Sequence, residues 1–364
     1  MKLNSEISKY ISKTFLLSTC VIIFAFSSII FVGDSVEYNK KLSSYDNSNI
    51  SLIFLLSILN LPKMLQEILP FCLFFSGMLW TIRLNSSKEL LIIRSSGLTL
   101  RKVVYPIILV SLFFGFLFVT TFSPLISATQ KKIQNIESET LGKPINSLLV
   151  TVSGFWVKQG NNEGNDMIYA KSLNSKTMEF NDVIVFKFNR DYEVRERIKA
   201  EISELHDNYW LLKNTEVINN IGEIVFKDEI KLGTSITKNQ IKEGFSSPES
   251  LSLWNLVPFI KMFENAGFSA KKHKYHLYKL LCFPFLLASM SLLGASFNLN
   301  NFKRKKSSYN IIVGIMSGFS IFYITKIISA LSISGKMPLL FGSMLPILLP
   351  FFLGIVLIIH ADEK

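Results

Sequence analysis

The sequence is poor in cysteine, and its three cysteines, Cys20, Cys72 and Cys282, all lie inside apolar runs. The long polar stretch between Cys72 and Cys282 has none, so no disulfide can brace it. No pair has metal-site spacing, and the three read as small buried hydrophobes. Histidine is equally sparse. Of His206, His273, His276 and His360, only the 273/276 pair approaches a metal spacing, and surface or interfacial roles are the expectation for all four. There is no G-x-x-x-x-G-K-[ST], so the chain has no P-loop for nucleotide hydrolysis. H-E-x-x-H and G-x-S-x-G are missing too, which removes the zincin and nucleophile-elbow hydrolase classes. No internal repeat or low-complexity tract is evident. These absences point away from an enzyme and away from a resident cofactor.

Apolar residues, by contrast, are abundant: 49% of the 364 residues are hydrophobic and 31 are Phe. They gather in long runs without charge. A run of about 18 or more such residues can cross the hydrocarbon core of a bilayer as a helix. Six spans are expected: Thr14–Gly33, Leu61–Ile82, Val103–Ser123, Leu280–Leu299, Tyr309–Leu331 and Leu339–His360. The first reads as an uncleaved helix, because Phe31-Val32-Gly33-Asp34 offers no small-x-small cleavage site. In the second, Lys63 and Glu67 would snorkel near its start, Pro62 suits a first turn and Pro70 would kink it. Ile50–Asn60 before it reads as a separate interfacial helix.

The net charge of +12 is a matter of location. Acids and bases nearly balance from Lys131 to Lys279, and the basic excess lies beside the apolar runs, so it reads as topology and not as a nucleic-acid footprint. Lys2, Lys9 and Lys13 precede span one. Arg83, Lys88, Arg94, Arg101 and Lys102 separate spans two and three, and Lys303 to Lys306 separates spans four and five. The positive-inside rule puts these three segments and both termini in the cytoplasm, and residues 124–274 outside it.

That outer segment alternates in the manner of strands. Asp182–Asn189, Val194–Ile202, Tyr209–Leu212 and Glu223–Phe226 are candidates, with a turn at Gln159–Asp166. Several short strands with regular turns suggest a β-sandwich or jelly roll. Pro248–Ala266 then reads as an amphipathic helix, with Ser247 as N-cap and Gly267 as stop. Three segments follow: a membrane half over 1–123, an inserted all-β domain with its helix over 124–274, and a second membrane half over 275–364.

Asn85 to Gly97 is the most informative short stretch. Ser86 and Glu89 fit a capping box, and Gly97 fits a helix C-cap. The short helix between them carries Leu90, Leu91 and Ile93 on the cytoplasmic side. Either these rest on the bundle or membrane surface, or they dock on a cytoplasmic partner as a coupling helix.

Glu89-Leu90 with Arg94 and Gly97 resembles the E-L-x-x-x-R-x-x-G stretch of the LptF/LptG permease family, which exports lipopolysaccharide. The likeness continues through Tyr10-Ile11 with Lys13, Leu69-Pro70, Pro124, Gly154-Phe-Trp156, the Asn161-Asn162 turn and Tyr209-Trp-Leu-Leu212. It extends through Leu251-Ser252 to Gly267, then Tyr275, Lys279 and Pro284, then Gly314, Gly318, Tyr323 and the Gly335 to Pro338 turn. The Trp156 hairpin and the Lys279–Pro284 region resemble LptG more than LptF. The resemblance implies six transmembrane helices with a periplasmic jelly-roll-like domain in the bacterial inner membrane. It implies an LptF-type partner subunit, two copies of the cytoplasmic ATPase LptB, which would bind the ATP and Mg, and delivery of lipopolysaccharide to LptC and a periplasmic bridge.

For individual residues, the resemblance implies that Glu89 and Arg94, with Leu90, Ile93 and Gly97, couple the chain to the ATPase. Lys326 stands inside the fifth span, where a cation needs a partner, a cavity or a snorkelling path. A lipid phosphate is one such partner, although the family's LptG members are expected to carry an acid there. Lys40 and Lys41 are candidates to replace a basic lipid contact that Phe31-Val32-Gly33-Asp34 lacks, with loop solvation as the plainer role. Trp156 and Trp210 read as packing residues. The alternatives are an LptF-type subunit, another ABC permease with a periplasmic domain, or a membrane-anchored receptor or structural protein without an ATPase.

Overall fold

The structure is a computed structural model that describes residues 2–43, 50–141, 148–151, 154–161, 164–174, 179–188, 194–206, 208–219, 222–234, 248–265, 269–299 and 304–362. Ser247, Gly267, Asn162, Asn189 and Lys303 of the sequence reading lie outside the described residues. The helices are α1 Lys2–Ser43, α2 Ile50–Ser86, α3 Glu89–Ser95, α4 Leu100–Leu141, α5 Leu253–Asn265, α6 Lys271–Ser296, α7 Arg304–Ile333 and α8 Leu339–Asp362. Residues 1–133 with 274–364 form one compact unit and residues 134–273 another.

Six helices, α1, α2, α4, α6, α7 and α8, are long and apolar enough to cross a membrane. All six expected spans are present, and several extend further. Ile50–Asn60 is not a separate helix, because α2 runs unbroken from Ile50 through Pro62 and Pro70. Likewise α4 continues through Pro124 to Leu141. A proline removes one backbone hydrogen bond, and a membrane helix tolerates the loss where neighbouring helices and hydroxyls satisfy the freed groups.

The most buried of the six is α6, which packs on α2 with almost no side chain between the backbones. A Cβ at Gly294 would collide with the Phe74 carbonyl, and one at Gly77 would lie 2.7 Å from the Ser291 carbonyl. Small residues replace hydrophobic burial as the means of helix association in lipid. On its α4 side, α6 accepts at Ser291 from Ser111 at 2.9 Å. Phe74, Met78, Met290, Leu293 and Ile321 close the core around it.

A buried polar chain holds the N-terminal helices together. Asn60 on α2 donates to the Asp34 carboxylate on α1 at 2.8 Å, and Gln130 on α4 donates to Asn60 at 3.2 Å. All three side chains are buried.

The second unit contains the expected all-β fold. Its strands are β1 Leu148–Thr151, β2 Gly154–Asn161, β3 Gly164–Asn174, β4 Glu179–Phe188, β5 Val194–Leu205, β6 Tyr209–Asn219 and β7 Ile224–Gly233. They form one antiparallel sheet in chain order. The expected enclosure therefore comes from a meander that curls, without Greek-key crossings between two sheets among the described residues. Flat strands five positions apart would stand roughly 24 Å from each other. Yet Gln159 on β2 donates to the Gly233 carbonyl of β7 at 3.2 Å and accepts from Thr234 at 2.7 Å.

A row of irregular residues bends the sheet. In β4 the buried face passes from Phe180 to Val183, in β5 from Ala200 to Ser203, and in β6 from Leu212 to Thr215. These three steps are in register, since Ala200 pairs with both Val183 and Thr215. Asp182 and Asn214 in this row have positive φ, 49° and 51°. One extra residue per strand at the same level reverses the inward parity without breaking the pairing, as aligned bulges do. Ile202 consequently faces outward, and Ser203 and Leu205 replace it inside. The simple alternation read from Val194 to Ile202 stops at this row. Trp210 packs edge-on against Phe180, with ring centroids 4.9 Å apart, and Trp156 lies 4.8 Å from the Tyr169 ring, so both tryptophans are packing residues.

Replacing Asn60 by Leu removes both bonds of the polar chain and leaves a buried carboxylate short of a donor, at a cost of about 1–3 kcal/mol. A lowered thermal midpoint in detergent is expected, and an unchanged one would show that the chain of amides holds nothing. On β5 and β6 the Lys213 ammonium, hydrogen-bonded to Glu204 at 2.6 Å, holds that carboxyl below its ordinary range. Because the folded-state value is depressed, this stabilisation is fully present above the ordinary value of about 4.3 and is lost as the pH falls through the folded one. Glu204→Gln should flatten the acid-side loss of amide protection in these two strands. The same pH profile in both proteins would remove the pair from the account.

Candidate partner-docking helix and intramembrane ion pair

The segment from Asn85 to Leu100 is built as a lever with a joint at each end. At the first joint, Ser86 and Ser87 donate to the Arg83 carbonyl at 2.8 and 3.0 Å, finishing α2. Lys88 follows in the left-handed region with φ 60°. The expected capping box does not form, because the Ser86 hydroxyl is spent on α2 and no side chain caps α3. The Glu89 carboxylate instead accepts the Tyr10 hydroxyl of α1 at 2.8 Å.

At the second joint Gly97, with φ 83°, returns its N–H to the Arg94 carbonyl at 3.0 Å, which is the expected C-cap. No Cβ is tolerated there without backbone strain, although space is open. The chain then enters α4, where Asp362 of α8 accepts the Leu100 N–H at 3.0 Å and faces Arg101 Nε at 3.4 Å.

Seven residues at 100° apiece place Leu90 and Ile93 on one face of α3 and Leu91 and Ile92 on the other. The first pair is buried within the chain, whereas Leu91 is 53% and Ile92 65% exposed. Leu90 and Ile93 therefore anchor α3, and the apolar surface it presents is Leu91 with Ile92. Ile92 was absent from the residues picked out by sequence, although helical spacing alone separates the two pairs. Arg94 is half-buried and Gly97 exposed.

Lys326 on α7 has its partner within the chain. Its Nζ lies 3.1 Å from the Glu67 carboxylate of α2 and 5.2 Å from the centre of the Phe322 ring. Lys63 and Lys279 also act on Glu67. Three ammonium groups, from α2, α6 and α7, thus act on one carboxylate. Glu67, expected to snorkel, and Lys326, expected to need a partner, a cavity or a snorkelling path, are thus paired across two helices. Lys40 and Lys41 close the last turn of α1, where cations favour the helix dipole. Lys41 also pairs with Glu37 at 3.4 Å and lies over the Tyr38 ring. His273 packs between Phe259 and Phe263, at 4.9 and 5.4 Å. Among the described residues no group of three or more His, Cys, Asp or Glu side chains could hold a metal ion.

Six spanning helices, an all-β insert between the third and fourth, and a short lever between the second and third define a multi-pass membrane protein of permease type. The family model for the lipopolysaccharide export system permease LptF/LptG matches residues 9–360, and the chain belongs to that family. It is similar to the lipopolysaccharide export system permease protein LptG of Escherichia coli (strain K12), 22% identical over 93% of this chain and 94% of the relative. The protein of that name from Haemophilus influenzae is 22% identical over 80% of this chain and 81% of its own length. Members of the family take part in lipopolysaccharide export, and this chain lies close to LptG.

The Glu67–Lys326 pair can be weighed by a double-mutant cycle. Lys326→Met alone should lower the thermal midpoint in detergent, and Glu67→Gln added to it should restore part of the loss. A partly exposed pair of this kind is worth on the order of 0.2–1 kcal/mol. Additive losses would show that the two charges do not act together.

Proposed function

We propose that the chain is the LptG-type permease subunit of an ABC transporter that extracts lipopolysaccharide from the inner membrane. In this reading it pairs with an LptF-type subunit above two copies of the ATPase LptB. Both termini and α3 are cytoplasmic, and the β unit is periplasmic. ATP and Mg bind to the ATPase, and lipopolysaccharide passes to LptC and the bridge beyond it.

The observation that carries this reading is α3 itself. Glu89 and Arg94 stand at its ends, and its outward pair, Leu91 and Ile92, is more than half exposed among the described residues. It lies within one of the basic segments that the positive-inside rule assigns to the cytoplasm. A partner subunit is supported by α1 and α7, the least buried of the spanning helices, with Phe24, Val32, Met316, Phe319 and Tyr323 on their exposed faces. The β7 edge exposes Ile224, Val225 and Phe226, which suits extension by a neighbouring strand. Lys40 and Lys41 supply positive charge for lipid phosphates, and Lys326, itself paired with Glu67, does so only as part of the cluster with Lys63 and Lys279.

Affinity purification from the native membrane tests it. The unsubstituted chain should bring down a second six-helix permease and an ATPase. Ile92→Asp should lose the ATPase while keeping the permease, since each buried aliphatic contributes about 1.5–3 kcal/mol to such a contact. Glu89→Ala should weaken the same association. An ATPase retained at full stoichiometry by both variants would refute docking through α3.

A further inference from the structure

We propose that Tyr10 and Asp362 are positioning residues that carry the movement of α3 into α1 and α8, the first and last helices of the chain. This rests on the reading of α3 as the ATPase-docking helix and deepens it.

A helix of seven residues does not hold its own orientation in water. Here α3 is also jointed at both ends by left-handed residues, Lys88 and Gly97. Its direction is therefore set by side chains. Leu90 and Ile93 fix it radially against the bundle. Among the described residues, contacts from α3 and its second joint also reach the far ends of the chain: Tyr10 to Glu89, and Asp362 to Leu100 and Arg101.

Tyr10 stands on a firm base. One turn on, Thr14 donates to the Tyr10 carbonyl at 2.9 Å and accepts the Trp80 Nε1–H at 3.0 Å, with Trp80 and Thr14 both buried. This ties α1 to α2 one turn from Tyr10, so that in this proposal a pull on Glu89 is delivered to α1 as a whole. From Tyr10 the helix runs unbroken to Asp34, about 36 Å further along its axis. There the Asn60–Gln130 chain grips its other end. A short lever at one end of α1 is thus joined through a rigid rod to a polar clamp at the other. Asp362 plays the matching part at the second joint. Its carboxylate caps the first turn of α4 and faces Arg101, so that rotation about Gly97 loads α8.

The test uses the complex purified with its ATPase and reconstituted in vesicles containing lipopolysaccharide. ATPase stoichiometry, ATP hydrolysis and lipopolysaccharide moved per ATP are all measured. Tyr10→Phe removes one oxygen and keeps the ring. It should retain the ATPase and hydrolyse ATP within about twofold of the unsubstituted rate, yet move about five- to tenfold less lipid per ATP, the factor that one ordinary hydrogen bond corresponds to. Asp362→Ala should show the same split. Asp362→Asn, which keeps an acceptor for the Leu100 N–H, should recover most of the yield. A general packing defect would instead lower hydrolysis and transport in proportion. That result, an unchanged yield per ATP in both variants, or an Asp362→Asn no better than Asp362→Ala, would overturn the proposal. If no ATPase accompanies the unsubstituted chain, the docking reading itself fails, and this failure is distinguishable because it precedes any substitution.

Discussion

Charged and amide side chains on the long apolar helices, within the bilayer or at its edges, are met by partners on other helices, and much of the membrane unit is organised by these contacts. Asp34 is met by Asn60 and, through it, by Gln130, which ties α1, α2 and α4. Glu67 is met by Lys326, which ties α2 to α7. Asp362 meets the start of α4 from the end of α8. Hydrophobic burial cannot discriminate one helix pair from another in lipid, whereas these contacts can, and the close approach of α2 and α6 at Gly77 and Gly294 completes the selection.

The β unit solves a different problem, that of enclosing a core with a single meander. Neither end of such a sheet has a strand to close against. The aligned irregularities at Asp182, Glu201 and Asn214 turn the sheet about a line crossing its strands, and Gln159 then reaches β7 from β2. Asn214 donates to Glu201 at 2.8 Å and Lys171 pairs with Asp182, so the row is held by its own polar side chains. Among the described residues, Ile224, Val225 and Phe226 at the start of β7 remain exposed.

Between these two designs, α3 is the element where local sequence and long-range contact share control. Its length, its joints and its two faces are local. The direction in which it points is decided by Tyr10, 79 residues away from Glu89, and by Asp362, 262 residues away from Leu100. With a left-handed joint at each end, the orientation of α3 depends on such distant contacts.

The sequence by itself determined the six spans, the inserted all-β segment, the short helix between Asn85 and Gly97, and the family. Each depends on local pattern: uncharged runs of bilayer length, alternation, turn residues, and the order of short motifs. It underestimated α2 and α4, because Pro62 and Pro124 read as boundaries while the surrounding helices make them tolerable. Only the tertiary structure decided that Leu90 and Ile93 face inward, that Ser86 closes α2 and does not cap α3, that inward parity reverses across three strands at once, and that Lys326 belongs to Glu67. The physical reason is the same in each case. A helix face, a bulge line or an ion pair is chosen by partners that lie far away in the chain, as Lys326 and Glu67 do at 259 residues' separation, and no periodicity records them.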